Sequence, residues 1–158
     1  MEIERKWLLK KLPQQVPKAK YFMEQFYLSL EPEVRLRRAV PNGDYAVDIP
    51  YRMAIKGSGD LARVEIQTPV SEDFYNEARD FVNLETIEKH VLLYDVGGSE
   101  LSIAVVLTGK NFIYAEVEFE NEDEALAYSF PRPELIEEEV TYNSEYKMKN
   151  VWRKLYNK

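Results

Sequence analysis

Residues 2–9 read Glu2-Ile3-Glu4-Arg5-Lys6-Trp7-Leu8-Leu9. In an extended strand, side chains two apart share a face. Glu2, Glu4 and Lys6 therefore project from one side, and Ile3, Arg5 and Trp7 from the other. The same alternation returns further along. Arg35 and Arg37 share a face opposite Val34 and Leu36, and Arg63, Glu65 and Gln67 one opposite Val64 and Ile66. Glu116, Glu118 and Glu120 stand opposite Ala115, Val117 and Phe119. An apolar face and an ionic face recur through the chain.

Working outward, strand patterns cover Glu2–Leu9, Gln25–Leu30, Val34–Val40, Tyr51–Lys56, Ala62–Thr68, Thr86–Tyr94, Glu100–Leu107, Ile113–Glu120 and Glu138–Tyr142. Turn signals separate them at Glu31-Pro32, Pro41-Asn42-Gly43, Gly57-Ser58-Gly59-Asp60, Gly97-Gly98 and Gly109-Lys110-Asn111. Most links are hairpin-length, which implies antiparallel neighbours. Three helices interrupt. Ser71–Val82 places Phe74, Ala78, Phe81 and Val82 on one stripe. Glu122–Phe130 starts at Asn121 with Glu124 three residues on, like a capping box. Ser144–Tyr156 aligns Met148, Val151, Trp152 and Leu155 on one face. This is an α+β arrangement of helices packed on a sheet, expected as one domain over residues 1–158.

Each ionic row read alone fits a half-buried sheet with its polar side in water. The rows are of one sign, however, and like charges on adjacent same-face positions repel unless something offsets them. If the strands close into a barrel, the helices cover the apolar outside and the ionic face becomes the lumen. Eight strands leave room inside for one small ligand. Enclosed carboxylates need cations, and enclosed cations need anions. A phosphate chain with a divalent ion satisfies both, because Arg grips phosphate bidentately and Mg²⁺ or Mn²⁺ prefers oxygen ligands.

Composition narrows the chemistry further. The 158 residues carry a net charge of −7, one histidine (His90) and no cysteine. A nucleic-acid partner is not expected of an acidic chain. Thiolate metal sites, Cys nucleophiles and Ser-His catalysis are set aside, so Asp, Glu, Lys and Arg must carry any reaction. No cleavable leader or run of roughly 20 apolar residues is seen, so the expectation is a cytoplasmic protein without a membrane partner.

Taken in order, several blocks resemble the CYTH superfamily, the triphosphate tunnel metalloenzymes. Glu2-Ile3-Glu4-Arg5-Lys6 resembles its ExExK signature. There follow Val34-Arg35-Leu36-Arg37-Arg38, Ala54-Ile55-Lys56-Gly57-Ser58-Gly59 running to Arg63-Val64-Glu65, Ile87-Glu88-Lys89, Ala115-Glu116-Val117-Glu118-Phe119 and Glu139-Val140-Thr141. The resemblance implies a closed eight-stranded antiparallel tunnel with a charged lumen and helices outside. It implies that Lys6, Arg35, Arg37, Lys56, Arg63 and Lys89 hold a triphosphate, while Glu2, Glu4, Glu116 and Glu118 ligate Mg²⁺ or Mn²⁺. Glu4 and Lys6 stand as the catalytic pair. Glu65 and Glu139 match acidic family positions without an assigned role.

The implied activity is metal-dependent hydrolysis of inorganic tripolyphosphate or a small organic triphosphate. The alternatives are a class IV-like adenylyl cyclase and a polyphosphate- or nucleotide-binding module without turnover. Three departures bear on this choice. Val91 stands where the family has Arg, Ile103-Ala104-Val105 where it has an acid, and Gln67 ends an Arg-x-Glu-x-Glu pattern. Loss of the acid, assigned to Val105, would remove a metal ligand. His90 and the two tryptophans read as packing residues, Glu139 as the inward member of Glu137-Glu138-Glu139, and a homodimer stays open.

Overall fold

A computed structural model describes residues 1–42 and 47–156. Gly43 of the expected Pro41-Asn42-Gly43 turn lies outside them. In chain order the elements are β1 Glu2–Leu9, β2 Ala19–Leu30, β3 Glu33–Pro41, β4 Tyr51–Lys56, β5 Ala62–Arg63, β6 Glu65–Pro69, α1 Glu72–Val82, β7 Ile87–Val96, β8 Ser99–Val106, β9 Phe112–Glu118, α2 Glu122–Ala127, β10 Ile136–Glu139 and α3 Met148–Tyr156. Short 3₁₀ turns at Pro133–Leu135 and Ser144–Tyr146 precede β10 and α3.

All pairings are antiparallel, and nine strands follow one another in the order β10-β1-β9-β8-β7-β2-β3-β4-β6. The tenth, β5, turns onto β1 through Glu2 opposite Arg63 and Ile3 opposite Ala62, and the Glu4 N–H donates to the Leu61 carbonyl at 3.0 Å. The expected closed eight-stranded barrel is corrected accordingly. Nine strands form the path, and the barrel is nearly but not fully closed. The expected strand Ala62–Thr68 explains the difference, because it divides at Val64. Its first two residues pair with β1, and the remainder leaves to pair with β4. One edge of β1 is thus shared between β5 and, further along, β10, where Trp7 faces Glu139.

β2 starts six residues before the expected Gln25. Ala19–Gln25 zip against β7, with Ala19 opposite Leu93 and Gln25 opposite Ile87. Partner pairing, not local apolar alternation, makes that stretch extended.

α1 is capped by Ser71, whose hydroxyl accepts from the Phe74 N–H at 3.0 Å. It ends at Asn83 in the left-handed conformation (φ 48°). Its buried face carries Tyr75, with Ala78 and Val82 packed beside it. Phe74 and Phe81, expected on that stripe, are 43% and 88% exposed. Tyr75 takes the core position because its hydroxyl finds the buried Glu24 carboxylate at 2.9 Å. Thr86 donates to the same carboxylate at 3.0 Å, and Arg79 pairs with it at 3.3 Å.

The Asn121 side chain caps α2 by accepting from the Glu124 N–H at 2.8 Å. This helix stops at Ala127 and not at Phe130, with Tyr128 already extended on the approach to Pro131.

The expected helix Ser144–Tyr156 is a 3₁₀ turn followed by α3. α3 departs from the expectation that the helices pack on the outside. Trp152 meets Tyr27 at 5.4 Å between ring centroids and donates to the Glu85 carbonyl at 2.6 Å. Tyr27 and Met148 line the interior cavity, so α3 lies across one end of the barrel. The apolar outside falls under the 128–136 segment, where Trp7, Ile103, Ala115 and Val117 pack with Phe130 and Leu135.

Candidate functional site

Period-two alternation delivers the ionic rows to a single cavity of about 830 Å³. Glu2, Glu4 and Lys6 from β1, Arg35 and Arg37 from β3, Lys56 from β4, Arg63 from β5, Lys89 from β7, and Glu116 and Glu118 from β9 all line it. Every candidate site residue read from the sequence is brought together there. Glu120 is not: β9 ends at Glu118, so the row stops one step earlier than expected.

At one end the charges compensate one another. Glu2 accepts from Lys56 at 3.2 Å and from Arg63 at 3.1 Å. Lys56 also meets Glu65 at 3.0 Å, and Arg63 meets Glu33 at 3.3 Å. Burial works against the charge of Glu65, yet Lys56 and hydrogen bonds from its neighbours hold it down to about 2.

The carboxylates of Glu2, Glu4 and Glu118 approach so closely that one oxygen of each lies within 4.8 Å of the others. Glu4 faces Glu118 directly across the β1–β9 ladder. Burial, then Glu116 and Glu2, pushes the Glu4 carboxyl well up, and it shares a hydrogen bond with Glu116. Burial, then Glu2 and Glu116, raises Glu118 as well. Glu116 goes the other way. Although burial opposes its charge, Lys6, Glu4 and Lys89 hold it down to about 2. Three crowded oxygen donors, two of them driven toward the protonated form by burial and then by their like-charged neighbours, are the donor set a hard divalent cation satisfies. Glu116, expected among the ligands, is not in this group of three.

The remaining cations lie beyond ion-pair distance of a carboxylate among the described residues, although Lys6 and Lys89 are near enough to Glu116 to favour its charge. Among the described residues, Lys6, Arg35, Arg37 and Lys89 form no ion pair. The buried Arg35 Nε has no hydrogen-bond partner. Lys89 donates to the Tyr114 hydroxyl at 2.7 Å. Lys6 donates to the Tyr146 carbonyl at 2.6 Å and lies 4.1 Å from the centre of the Tyr114 ring. Burial lowers Lys89 to about 7, with Glu116 acting in the opposite sense. Burial, with Arg35 and Arg52 nearby, lowers Arg37 to about 10, and burial lowers Lys6 too.

Beside Lys89 the lining turns apolar: Val91 and Leu93 follow it on β7, with Tyr21 and Met23 on β2 and Ala104 on β8 paired alongside. Val91 and Gln67, two of the three departures, do face the lumen. Val105 does not: it packs in the outer cluster with Ile103, whereas Ser102 and Ala104 line the cavity. The missing inward acid therefore belongs to Ser102 or Ala104, one step out of phase with the sequence reading.

Glu65 faces the lumen, but Glu139 pairs with Arg5 at 2.7 Å outside the lining, contrary to its expected inward aim. His90 turns away, edge-on to Phe22. Sequence reasoning missed Glu33 and Tyr114. Both were available from the alternation, since Glu33 continues the Arg35/Arg37 row and Tyr114 the Glu116/Glu118 row.

No protein-family model matches the chain, nor does any curated protein. Solved structures do. The inorganic triphosphatase NE1496 superposes with a TM-score of 0.67 at 24% identity, over 96% of this chain and 94% of that one. A second crystal structure of NE1496, described as a hypothetical protein, gives the same score and identity over 97% of its chain. PH1012 from Pyrococcus horikoshii OT3 matches at 0.53 and 17% identity, over 78% of this chain and 82% of its own. A conserved hypothetical protein from Pyrococcus furiosus matches at 0.54 and 17% identity, over 80% and 84%. At these identities the likeness is one of fold, and it agrees with the fold that the sequence resemblance implied.

Proposed function

We propose that this chain binds a triphosphate in the lumen and hydrolyses it with the help of a divalent metal ion. The observation that carries the reading is the set of enclosed cations Arg35, Arg37 and Lys89, unpaired with any carboxylate among the described residues and facing the same cavity as the Glu2/Glu4/Glu118 cluster. The triphosphatase named among the fold neighbours lends support.

In this reading Arg35 and Arg37 grip phosphate oxygens as forks, while Lys89 and Lys6 act as point charges. Glu2, Glu4 and Glu118 hold Mg²⁺ or Mn²⁺, which when bound neutralises phosphate oxygens and activates the attacking water. Glu116 stays ionised between Lys6 and Lys89 and keeps Glu4 in place through their shared hydrogen bond. Lys56 and Arg63 line the same cavity but are tied to Glu2, so they would add to the phosphate contacts less than the unpaired cations do. Little covalent chemistry is asked of the protein, since phosphoryl transfer depends chiefly on positioning and charge neutralisation.

The test is release of inorganic phosphate from tripolyphosphate, ATP and other small triphosphates with Mg²⁺ or Mn²⁺. Absence of turnover on all of them rejects hydrolysis. A binding module without turnover is the second reading, favoured by the uncharged Val91, Ser102 and Ala104 in the lumen. Calorimetry showing tight binding without phosphate release selects it, and cyclic AMP from ATP would select the cyclase.

A further inference from the structure

Resting on the lumen as the triphosphate site, we propose that Tyr114 is a positioning residue that keeps Lys89 and Lys6 directed at the bound phosphates without cancelling their charge. Tyr114 is almost wholly buried on β9, two residues before Glu116 and on the same face. Its hydroxyl accepts from Lys89 at 2.7 Å, and its ring carries the Lys6 ammonium at 4.1 Å from the centroid.

An ammonium has three donors. Tyr114 occupies one from Lys89, and the Tyr146 carbonyl occupies one from Lys6. Both partners are neutral, so each lysine is fixed in place without a counter-charge and its other donors remain for an anion. The contrast is Lys56, whose ammonium lies between the Glu2 and Glu65 carboxylates at 3.2 and 3.0 Å. Glu116 is the carboxylate that attracts Lys89 most strongly. Without the Tyr114 hydroxyl, Lys89 has no neutral partner and collapses onto Glu116, which removes a cation from the phosphates.

The experiment is calorimetric titration of sodium tripolyphosphate into the full chain, its Tyr114→Phe and Lys89→Met variants, and the double variant, with thermal melting to verify folding. Tyr114→Phe keeps the ring beneath Lys6 and loses only the hydroxyl, so affinity falls roughly tenfold. Because Tyr114 acts through Lys89, the double variant binds no more weakly than Lys89→Met alone. A general packing defect would instead add in the double variant. In turnover assays the Tyr114→Phe defect lies in KM, with kcat within about twofold of the parent, the signature of lost ground-state binding.

Additive losses, or an unchanged affinity for Tyr114→Phe, overturn the proposal and leave the triphosphate reading intact. Failure of the parent chain to bind tripolyphosphate overturns both. If Tyr114→Phe fails to fold, 4-methylphenylalanine at position 114, which fills the hydroxyl's space and keeps the ring beneath Lys6, carries the same comparison.

Discussion

Two stretches of the same lumen hold the same residue types in opposite conditions. Where β1 and β5 meet the ends of β3, β4 and β6, Glu2, Lys56, Glu65, Arg63 and Glu33 pair with one another at 3.0–3.3 Å. Where β3 and β7 contribute Arg35, Arg37 and Lys89, none of the three forms an ion pair among the described residues, and Lys89 is held by the Tyr114 hydroxyl. A buried pair that is already matched holds the fold in place. A buried cation with no anion destabilises the empty protein, and that deficit is offset when an anion arrives. On the proposed function, the first stretch serves the barrel and the second its ligand.

The sharpest way to break this distinction is Glu2→Gln, which leaves Lys56 and Arg63 short of a shared carboxylate. The expected loss is about 3 kcal/mol of folding stability, read from denaturant unfolding, at the low end for a broken buried pair because Lys56 keeps Glu65 and Arg63 keeps Glu33. A change below about 1 kcal/mol would mean that the paired end does not hold the barrel. Arg35→Leu should act in the reverse sense. It weakens tripolyphosphate binding by about 100-fold, about 2.8 kcal/mol, while melting temperature stays level or rises. A drop in both would erase the contrast.

The pH dependence sharpens it further. Lys89 lies near 7 when folded against an ordinary value of 10.5. Between those values the unfolded chain holds a proton that the folded chain has released. The stability penalty from Lys89 is therefore full below about pH 7 and fades as pH rises toward 10. Anion binding runs the other way, since the ammonium is the binding form. Tripolyphosphate affinity should fall several-fold from pH 6.5 to 8.5, and Lys89→Gln should remove that part of the dependence. The smallest expected effect belongs to the apolar wall. Val91→Arg adds a cation beside the phosphates and should tighten tripolyphosphate binding by about threefold, on the scale of one partly solvated charge contact. Weaker binding would mean that the wall's shape, not its lack of charge, matters to the ligand.

Much of this was legible in the sequence, because alternation is a strict geometric rule. β1 and β4 run over Glu2–Leu9 and Tyr51–Lys56 as read, and all ten candidate site residues share one cavity. What escaped was set by partners distant in the chain. The break at Val64 depends on β1 and β4 competing for one segment. The early start of β2 depends on β7. The Val105 reading failed by one residue, and a slip of one exchanges inside for outside. On α1, Phe74 and Phe81 looked like the core by hydrophobicity, but the buried Glu24 selected Tyr75, the aromatic with a hydroxyl. Tyr114 was passed over for the same reason: a tyrosine inside a row of acids was not counted as part of that row.

One rung of the ladder has a double duty. Glu2 is half of the two-residue clasp between β1 and β5, and it is also a corner of the three-carboxylate cluster. One side chain is thus common to the seam that narrows the barrel's opening and to the acid cluster inside it.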